Sequence, residues 1–353
     1  MNEVLSWFKN KGWNAQNFQK KCWKAYSEGK NGILHAPTGS GKTFAIWGGV
    51  IEESLKVKKH KIGIQAIWIT PLRALAVEIQ KAIQIMTNDL NPELKIALRT
   101  GDTSQSERGN QKRKPSFGLV TTPESLHLLI STKDHQKTLQ NLKVIVIDEW
   151  HELLGTKRGV QIELAIAYLK SFVPNLKVWG ISATIGNKDL ASKILLGSSK
   201  AFVTVNAEFK KKIEVESILP KNMERFPWRG HLGIHLLSHV LEIVKKNKTT
   251  LIFTNTRAQC EIWYHHLLDG NPKLAGDIAM HHGSIDKKIR LWVEDSLRKE
   301  NLKVVVCTSS LDLGVDFSPV ENCIQIGSPK GVGRFIQRAG RSGHQPKAKS
   351  KIY

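Results

Sequence analysis

Short apolar runs alternate with amphipathic stretches along almost the whole chain, and this alternation limits the folds open to it. Each run is rich in β-branched or other apolar side chains, as in Ala66–Thr70 and Val144–Asp148. Strands that alternate with helices form parallel sheets covered by helices. We therefore predict an α/β protein. The runs are Gly32–His35, Ala66–Thr70, Gly118–Thr122, Val144–Asp148, Val178–Ala183, Thr250–Thr254, Asp277–Met280, Val304–Cys307 and Cys323–Gly327.

The runs fall into two series, which predicts two domains. Between them, Phe209–Leu219 carries a lysine cluster and then alternates apolar with polar residues, which favours an extended crossover over a helix. With 353 residues the chain is long enough for two domains, each a parallel sheet flanked by helices. We place the domains at 1–206 and 229–353, with a linker at 207–228.

Composition narrows the choice of partner. Lys and Arg total 53 and Asp and Glu total 31, a net charge of +22. This predicts a polyanionic partner, nucleic acid first and an anionic membrane surface second, although a merely lysine-rich protein would look the same. No apolar stretch is long enough to cross a membrane. The 4 cysteines are scattered, which argues against a zinc site and suits a reducing cytoplasm.

The segment Ala36–Thr43, APTGSGKT, lies between an apolar run and a helical stretch and is typical of a phosphate-binding loop. Gly39 and Gly41 let backbone N–H groups face an anion, and the helix N-terminus adds positive potential. Lys42 can reach the β and γ phosphates of a nucleoside triphosphate, and the Thr43 hydroxyl can ligate Mg²⁺. The loop alone does not indicate what hydrolysis would drive.

A buried-strand pattern ends abruptly in two carboxylates, Asp148 and Glu149. Ligands of parallel sheets bind at the carboxyl ends of the strands. We expect Asp148 to hold Mg²⁺, directly or through water, and Glu149 to act as general base on the attacking water. A strand end capped by solvated acids is the alternative, but the phosphate loop upstream favours the catalytic interpretation.

Further motifs follow the phosphate loop in order. They are TPLRAL (70–75), TGD (100–102), TTPES (121–125), DEWH (148–151), SAT (182–184), FTNTR (253–257), HHGS (281–284), TSSLDLGVD (308–316) and QRAGRSGH (337–344). This set resembles that of superfamily 2 helicases and covers nearly the whole chain. The DEWH box with QRAGRSGH resembles the large helicase-related, or Lhr-type, branch. The N-terminal segment up to the loop is similar to bacterial ligase-associated DEXH-box helicases.

The resemblance implies two tandem RecA-like domains that bind ATP and Mg²⁺, and it assigns roles position by position. Arg341 lies where the family places an arginine finger. Ser182, Thr184 and Gln337 would couple hydrolysis to motion between the domains. Gln19 would read the adenine. The implied catalytic residues are Lys42, Asp148, Glu149 and Arg341, and the implied nucleotide-binding residues are Gln19, Thr38, Gly39, Ser40, Gly41, Lys42, Thr43, Asp316 and Arg338.

The resemblance also implies a track for a nucleic-acid strand. Small hydroxyls, backbone amides and arginines suit contacts to phosphates that ignore sequence. For any one threonine, a turn or helix cap is the alternative role. The matching positions are Pro71, Arg73, Gly101, Thr122, Pro123, Asn255, Thr256, Arg257 and Thr308.

By resemblance, the expected function is an ATP-dependent helicase that moves 3′ to 5′ on single-stranded DNA in DNA repair, beside other repair enzymes. Two alternatives stay open: an RNA helicase or remodeller, and a motor core that binds ATP and nucleic acid without productive unwinding. The chain ends just past the last motif, where residues 351–353 look like the start of a strand. We therefore expect the second domain to be truncated relative to the family, which continues into a winged-helix domain.

Overall fold

The computed structural model describes residues 2–37, 39–57, 60–182, 187–197, 202–207, 213–219, 233–312, 320–329, 331–343 and 350–353. The chain divides into two compact units, Met1–Phe209 and Lys210–Tyr353. This division lies inside the range 207–228 that the sequence assigns to a linker.

A parallel sheet forms the centre of the first unit. Its strands are β1 (Asn31–His35), β2 (Ala66–Ile69), β3 (Ile96–Arg99), β4 (Gly118–Thr121), β5 (Val144–Ile147), β6 (Lys177–Ser182) and β7 (Phe202–Asn206). They are ordered β3-β4-β2-β5-β6-β1-β7, and every pairing is parallel. The register sets His35 of β1 beside Ser182 of β6 and Asn206 of β7.

Helices cover both faces of this sheet. They are α1 (Asn2–Asn10), α2 (Asn17–Ser27), α3 (Lys42–Leu55), α4 (Arg73–Leu90), α5 (Gln105–Arg113), α6 (Pro123–Ile130), α7 (His135–Leu139), α8 (Trp150–Leu153), α9 (Lys157–Phe172) and α10 (Lys188–Leu196). Successive strand side chains point to opposite faces. Trp68 accordingly joins the core under α1–α4, and its neighbours Ile67 and Ile69 join the core under α6–α10.

The second unit repeats this plan on a smaller sheet. Its strands are β8 (Ile213–Val215), β9 (Thr250–Phe253), β10 (Ile278–His281), β11 (Val304–Cys307), β12 (Asn322–Gln325) and β13 (Ser350–Ile352), and its helices are α11 (Leu237–Lys246), α12 (Arg257–Gly270), α13 (Lys287–Arg298) and α14 (Val332–Ala339). The order is β10-β11-β9-β12-β13-β8, again with parallel pairings. Two cores lie on its two faces, one with α13 and α14 and one with α11 and α12.

The predicted α/β class is confirmed, since each predicted apolar run forms a strand. Strand β8 belongs to the second sheet although its residues were assigned to the linker, and β13 forms where residues 351–353 looked like the start of a strand. In the part of the chain that the structure describes, no helix is long and apolar enough to cross a membrane.

Candidate nucleotide and nucleic-acid sites

The motif residues of the first unit lie at one edge of its sheet, in two neighbouring groups. The phosphate loop, the two carboxylates and Ser182 lie at the carboxyl ends of β1, β5 and β6, which are adjacent. The residues predicted to contact the nucleic-acid strand follow β3, β4 and β2, which are adjacent as well. Because parallel strands end at a common edge, the topology separates the residues predicted to bind the nucleotide from those predicted to contact nucleic acid.

Two glycines shape the phosphate loop. Gly39 and Gly41 have φ of 77° and 80°, a left-handed conformation that other residues rarely adopt. Gly41 caps the N-terminus of α3, so that Lys42 and Thr43 begin the helix. Ser40 Oγ donates to Pro37 O at 2.7 Å, which holds the loop closed. Thr38 lies outside the described residues.

Gln19, in the first turn of α2, joins this helix to the phosphate loop. Its Nε2 donates to Gly41 O at 3.0 Å, and its Oε1 accepts from the backbone N–H of Gln16 at 2.8 Å. A Cβ atom at Gly41 would lie only 2.9 Å from that Nε2. The amide is thus fixed against the loop. The role of Gln16 was missed from the sequence, although its spacing of three residues is that of a capping box.

Lys42 lies against both carboxylates. Its ammonium forms an ion pair with Glu149 and lies 3.5 Å from Asp148 Oδ1. Glu149 adopts φ of 49°, which is uncommon for a residue other than glycine and marks a strained turn. Asp148 Oδ1 accepts from the Glu149 N–H at 2.9 Å, which fixes the turn. The three charged groups are almost completely buried.

Burial and charge act against each other at this cluster. Burial alone would lower the pKa of Lys42, but Asp148 and Glu149 outweigh it and leave that pKa above its ordinary value, so the amine stays charged. Burial raises the pKa of Asp148, and Glu149 adds to this while Lys42 opposes it. Asp148 Oδ2 and Glu149 Oε2 are buried without a hydrogen-bond partner. Two such oxygens suit a cation or water, so the Asp148 carboxylate fits Mg²⁺, with Thr43, next to Lys42 in the chain, as the second ligand that the sequence predicts.

A histidine connects the carboxylates to the strand of the SAT motif. His151 Nδ1 lies 3.1 Å from Ser182 Oγ and 3.6 Å from Glu149 Oε2. Ser182, predicted to couple hydrolysis to motion, is therefore one side chain away from the predicted base. The bridging role of His151 was missed, although it is the last letter of the DEWH box. Thr184 lies outside the described residues.

In the first unit, the residues predicted to contact the nucleic-acid strand differ in how exposed they are to solvent. Arg73 and Gly101 are exposed, whereas Pro71, Thr122 and Pro123 are buried. Arg73 Nη1 donates to Asp102 Oδ1 at 2.8 Å, and a Cβ at Gly101 would lie 2.7 Å from Arg73 Nη2.

The buried members of this set shape the turns. Thr122 is the N-cap residue of α6, and Pro123 is its first residue. The Thr122 hydroxyl forms no capping hydrogen bond to the backbone of α6 and donates instead to Ser125 Oγ at 3.3 Å.

In the second unit, the predicted contacts follow the adjacent strands β9 and β11. Asn255 Nδ2 donates to Ser328 O at 2.8 Å, and Thr256 Oγ1 caps α12 by accepting from Gln259 N at 3.2 Å. Arg257 is the exposed first residue of α12. Thr308 N donates to His281 O at 3.2 Å. The four predicted residues therefore lie at one edge of the second sheet.

Arg338 and Arg341 both contact Asp312. Arg338 Nε and Nη2 donate to Asp312 Oδ1 and Oδ2 at 2.7 and 3.1 Å, and Nη1 donates to Gln325 Oε1 at 2.6 Å. Arg341 Nη2 donates to Asp312 O at 2.9 Å. Arg338, Arg341 and Gln337 are all buried. Asp312 was missed as a partner, although it lies within TSSLDLGVD, and Asp316 lies outside the described residues.

Comparison with known proteins agrees with this arrangement. Residues 16–192 match the model of the DEAD/DEAH box helicase family, and residues 234–345 match that of the helicase conserved C-terminal domain. The ATP-dependent helicase Lhr-Core of Sulfolobus acidocaldarius is 34% identical over 364 residues, which cover 99% of this chain and 42% of that protein. The Lhr helicase/uracil glycosylase of Escherichia coli is 29% identical over 94% of this chain and 26% of its own length.

Solved structures give the same result. The structure of Mycobacterium smegmatis helicase Lhr bound to ssDNA and AMP-PNP matches with a TM-score of 0.82 and 28% identity, over 100% of this chain and 47% of that one. The chain thus spans less than half the length of these relatives. The predicted tandem RecA-like fold and the Lhr-type resemblance are confirmed, whereas the similarity to ligase-associated helicases stays a prediction. The chain belongs to the DEAD/DEAH box helicase family.

Proposed function

We propose that this chain is the motor core of an ATP-dependent helicase, which couples ATP hydrolysis to movement along nucleic acid. The observation that carries the proposal is the contact of Lys42 with Asp148 and Glu149 at the edge where the phosphate loop ends. A buried lysine opposed by two buried carboxylates at this edge is the arrangement that phosphoryl transfer requires.

The first unit would perform the chemistry. On ATP binding, Lys42 exchanges its contact with Glu149 for the β and γ phosphates, which leaves the carboxylate free to accept a proton from the attacking water. Thr43 and Asp148 would hold Mg²⁺, which neutralises charge on the phosphates. When the γ phosphate is released, His151 and Ser182 would transmit the resulting change in the position of Glu149 to β6, because His151 contacts both Glu149 and Ser182.

The second unit would supply an arginine finger. Arg341 is proposed for this role, which is worth roughly 10³–10⁵ in rate because it neutralises charge that develops in the transition state. Asp316 is proposed as a further nucleotide contact and Gln337 as a coupling residue. The Arg338 guanidinium is hydrogen-bonded to Asp312 and Gln325, so we propose that it positions the segment that contains Arg341.

The substrate we propose is single-stranded DNA, along which the motor moves 3′ to 5′ in DNA repair. Support comes from the ssDNA in the Lhr structure of M. smegmatis and from the basic charge of +22. Contacts to phosphates alone do not distinguish DNA from RNA, because a distinction requires the 2′-hydroxyl. The 4 buried cysteines are free thiols, which supports a cytoplasmic setting.

Steady-state ATP hydrolysis with no nucleic acid, with single-stranded DNA and with single-stranded RNA tests the proposal. We expect stimulation by DNA, and we expect Glu149→Gln to retain ATP binding but lose about 10²–10⁴-fold in turnover, since the general base is gone. Lys42→Ala serves as the inactive reference and Glu163→Gln, on α9, as the charge-matched control with normal turnover.

The other outcomes discriminate between functions. Equal stimulation by RNA would favour the RNA remodeller. ATP binding without turnover in the unmodified chain would favour a motor core that binds ATP and nucleic acid but does not hydrolyse ATP by itself. Normal turnover in Glu149→Gln would refute the assignment of the base. Displacement of a strand from a duplex with a 3′ tail, but not from one with a 5′ tail, checks the direction.

A further inference from the structure

A cavity of about 230 Å³ opens in the first unit between edge strand β3, helix α5 and the segment that contains α6 and α7. Its lining residues include none of the phosphate-loop or carboxylate residues described above. Arg99 from β3 lines it together with Arg108 and Gln111 from α5. Of the described residues that line the cavity, none carries a carboxylate.

Both arginines have N–H groups that the protein leaves without a partner. Arg99 is only 8% exposed, and no described hydrogen bond or ion pair uses its guanidinium. Arg108 Nη2 donates to Thr100 O at 3.1 Å, but its Nε is buried without a partner. Lys112, which also lines the cavity, is paired with Asp134 at 2.7 Å. Burying a guanidinium is costly without an anion or acceptor, so these donors favour an anionic ligand.

Gln111 requires that the ligand also donate a hydrogen bond. Its Nε2 donates to Leu98 O at 2.9 Å, while its Oε1 is buried without a partner. A matching ligand therefore accepts hydrogen bonds from Arg99 and Arg108 and donates one to Gln111. Hydrogenphosphate carries both kinds of group, whereas sulfate has acceptors only. Burial, reinforced by Arg108, lowers the pKa of Arg99, an effect that a bound anion would reverse.

We propose that this cavity binds a phosphoryl group, held by Arg99 and Arg108 and oriented by Gln111. An internal phosphodiester has no P–OH group to donate to Gln111, so the group comes either from free phosphate or from a terminal phosphate of the nucleic-acid strand. The strand is a candidate because Arg108 also holds the carbonyl of Thr100, directly before Gly101 of the predicted track. The second source rests on the proposed function, whereas the first does not.

Calorimetric titration with inorganic phosphate at constant ionic strength tests the site. Lys42→Ala serves as the background, so that the phosphate loop contributes little. We expect saturable binding that Arg99→Met weakens at least about tenfold, because a charge-assisted contact is lost. Lys114→Gln removes an exposed charge at the end of α5 and should leave binding unchanged. Sulfate should bind more weakly than phosphate.

The salt dependence of binding to single-stranded DNA that carries a terminal phosphate distinguishes the two sources. Each phosphate contact contributes about 0.7 to the slope of log K against log salt. If the strand supplies the group, Arg99→Met makes the slope shallower by about 0.7. If free phosphate supplies it, the slope stays and only phosphate binding is lost. A folded Arg99→Met variant with neither change overturns the proposal.

A measurement on the unmodified chain covers the case in which Arg99→Met does not fold. Phenylglyoxal modifies arginine, and mass spectrometry reads the modification at each peptide. We expect inorganic phosphate to protect Arg108 but not the exposed Arg113 on the same helix. Equal modification of Arg108 with and without phosphate overturns the proposal.

Discussion

His35 ends the strand that leads into the phosphate loop, and it is buried with neither ring nitrogen hydrogen-bonded to a described group. Burial lowers the pKa of His35 to about 4, and electrostatic repulsion from Lys188 and His151 adds to the effect. The ring is therefore neutral at pH 7. Accepting a proton here would place a charge at the end of β1, directly before the predicted phosphate loop, where the described residues give it no hydrogen-bond partner.

The pKa of His35 predicts how stability depends on pH. In the unfolded state His35 binds a proton near pH 6.5, and in the folded state it does so only near pH 4. The contribution of neutral His35 to the free energy of unfolding is therefore complete above about pH 6.5 and is lost as the pH falls toward 4. Its size is at most about 3.5 kcal/mol, at about 1.4 kcal/mol per unit of pKa difference. We expect His35→Gln to remove this part of the pH dependence.

Urea unfolding from pH 7.5 to pH 4, followed by tryptophan fluorescence, measures the effect. Carboxylates also titrate in this range, so the difference between His35→Gln and the unmodified chain isolates the histidine. His235→Gln, at an exposed histidine of the second unit, is the matched control and should follow the unmodified chain. Parallel curves for His35→Gln and the unmodified chain would contradict the prediction.

At the scale of elements, the central strands were predictable and the edges were less so. Strands β2 and β5 are buried at every residue, so both of their faces must be apolar and the sequence shows a continuous run. The edge strands β3 and β7 are only partly buried, and their mixed sequences IALR and FVTVN gave no clear run. Edge strands need fewer apolar side chains, which is why hydropathy does not reveal them.

The same contrast holds for the site. The phosphate loop and the DEWH box were predictable because their chemistry is local in sequence. The pairing of Arg338 with Asp312 was not, because only the folded chain brings α14 against the segment after β11. That pairing anchors α14 through a buried bidentate ion pair, and Arg338 also lies over the Phe253 ring at 4.9 Å.

We expect Asp312→Ala to destabilise the second unit by about 3–5 kcal/mol, because it leaves the buried Arg338 guanidinium without its carboxylate partner and with Gln325 as its remaining side-chain acceptor. Differential scanning calorimetry should show a lower melting temperature for the transition of the second unit alone. Asp295→Ala is the control, since Asp295 forms an exposed pair with Lys299 that is worth well under about 1 kcal/mol. Unchanged melting together with weaker ATP binding would instead make Arg338 a nucleotide contact.

At the scale of the whole molecule, both units present their predicted strand contacts at the carboxyl ends of adjacent strands, β3-β4-β2 in one and β11-β9 in the other. Each set contains one exposed arginine, Arg73 or Arg257, among small or buried residues. Such a set neutralises phosphates but has no side chains arranged to read base edges. The net charge of +22 adds a field that attracts any polyanion.

Binding to single-stranded DNA should therefore fall steeply with salt and depend little on sequence. Arg73→Gln and Arg257→Gln should each make the slope of log K against log salt shallower by about 0.7, and the double variant by about 1.4, because each removes one phosphate contact. Lys81→Gln, at an exposed lysine of α4, is the control and should leave the slope unchanged. Fluorescence anisotropy with two unrelated sequences at several salt concentrations measures both properties. A slope near zero in the unmodified chain, or strong preference for one sequence, would mean that the affinity for the strand does not come from contacts to its phosphates.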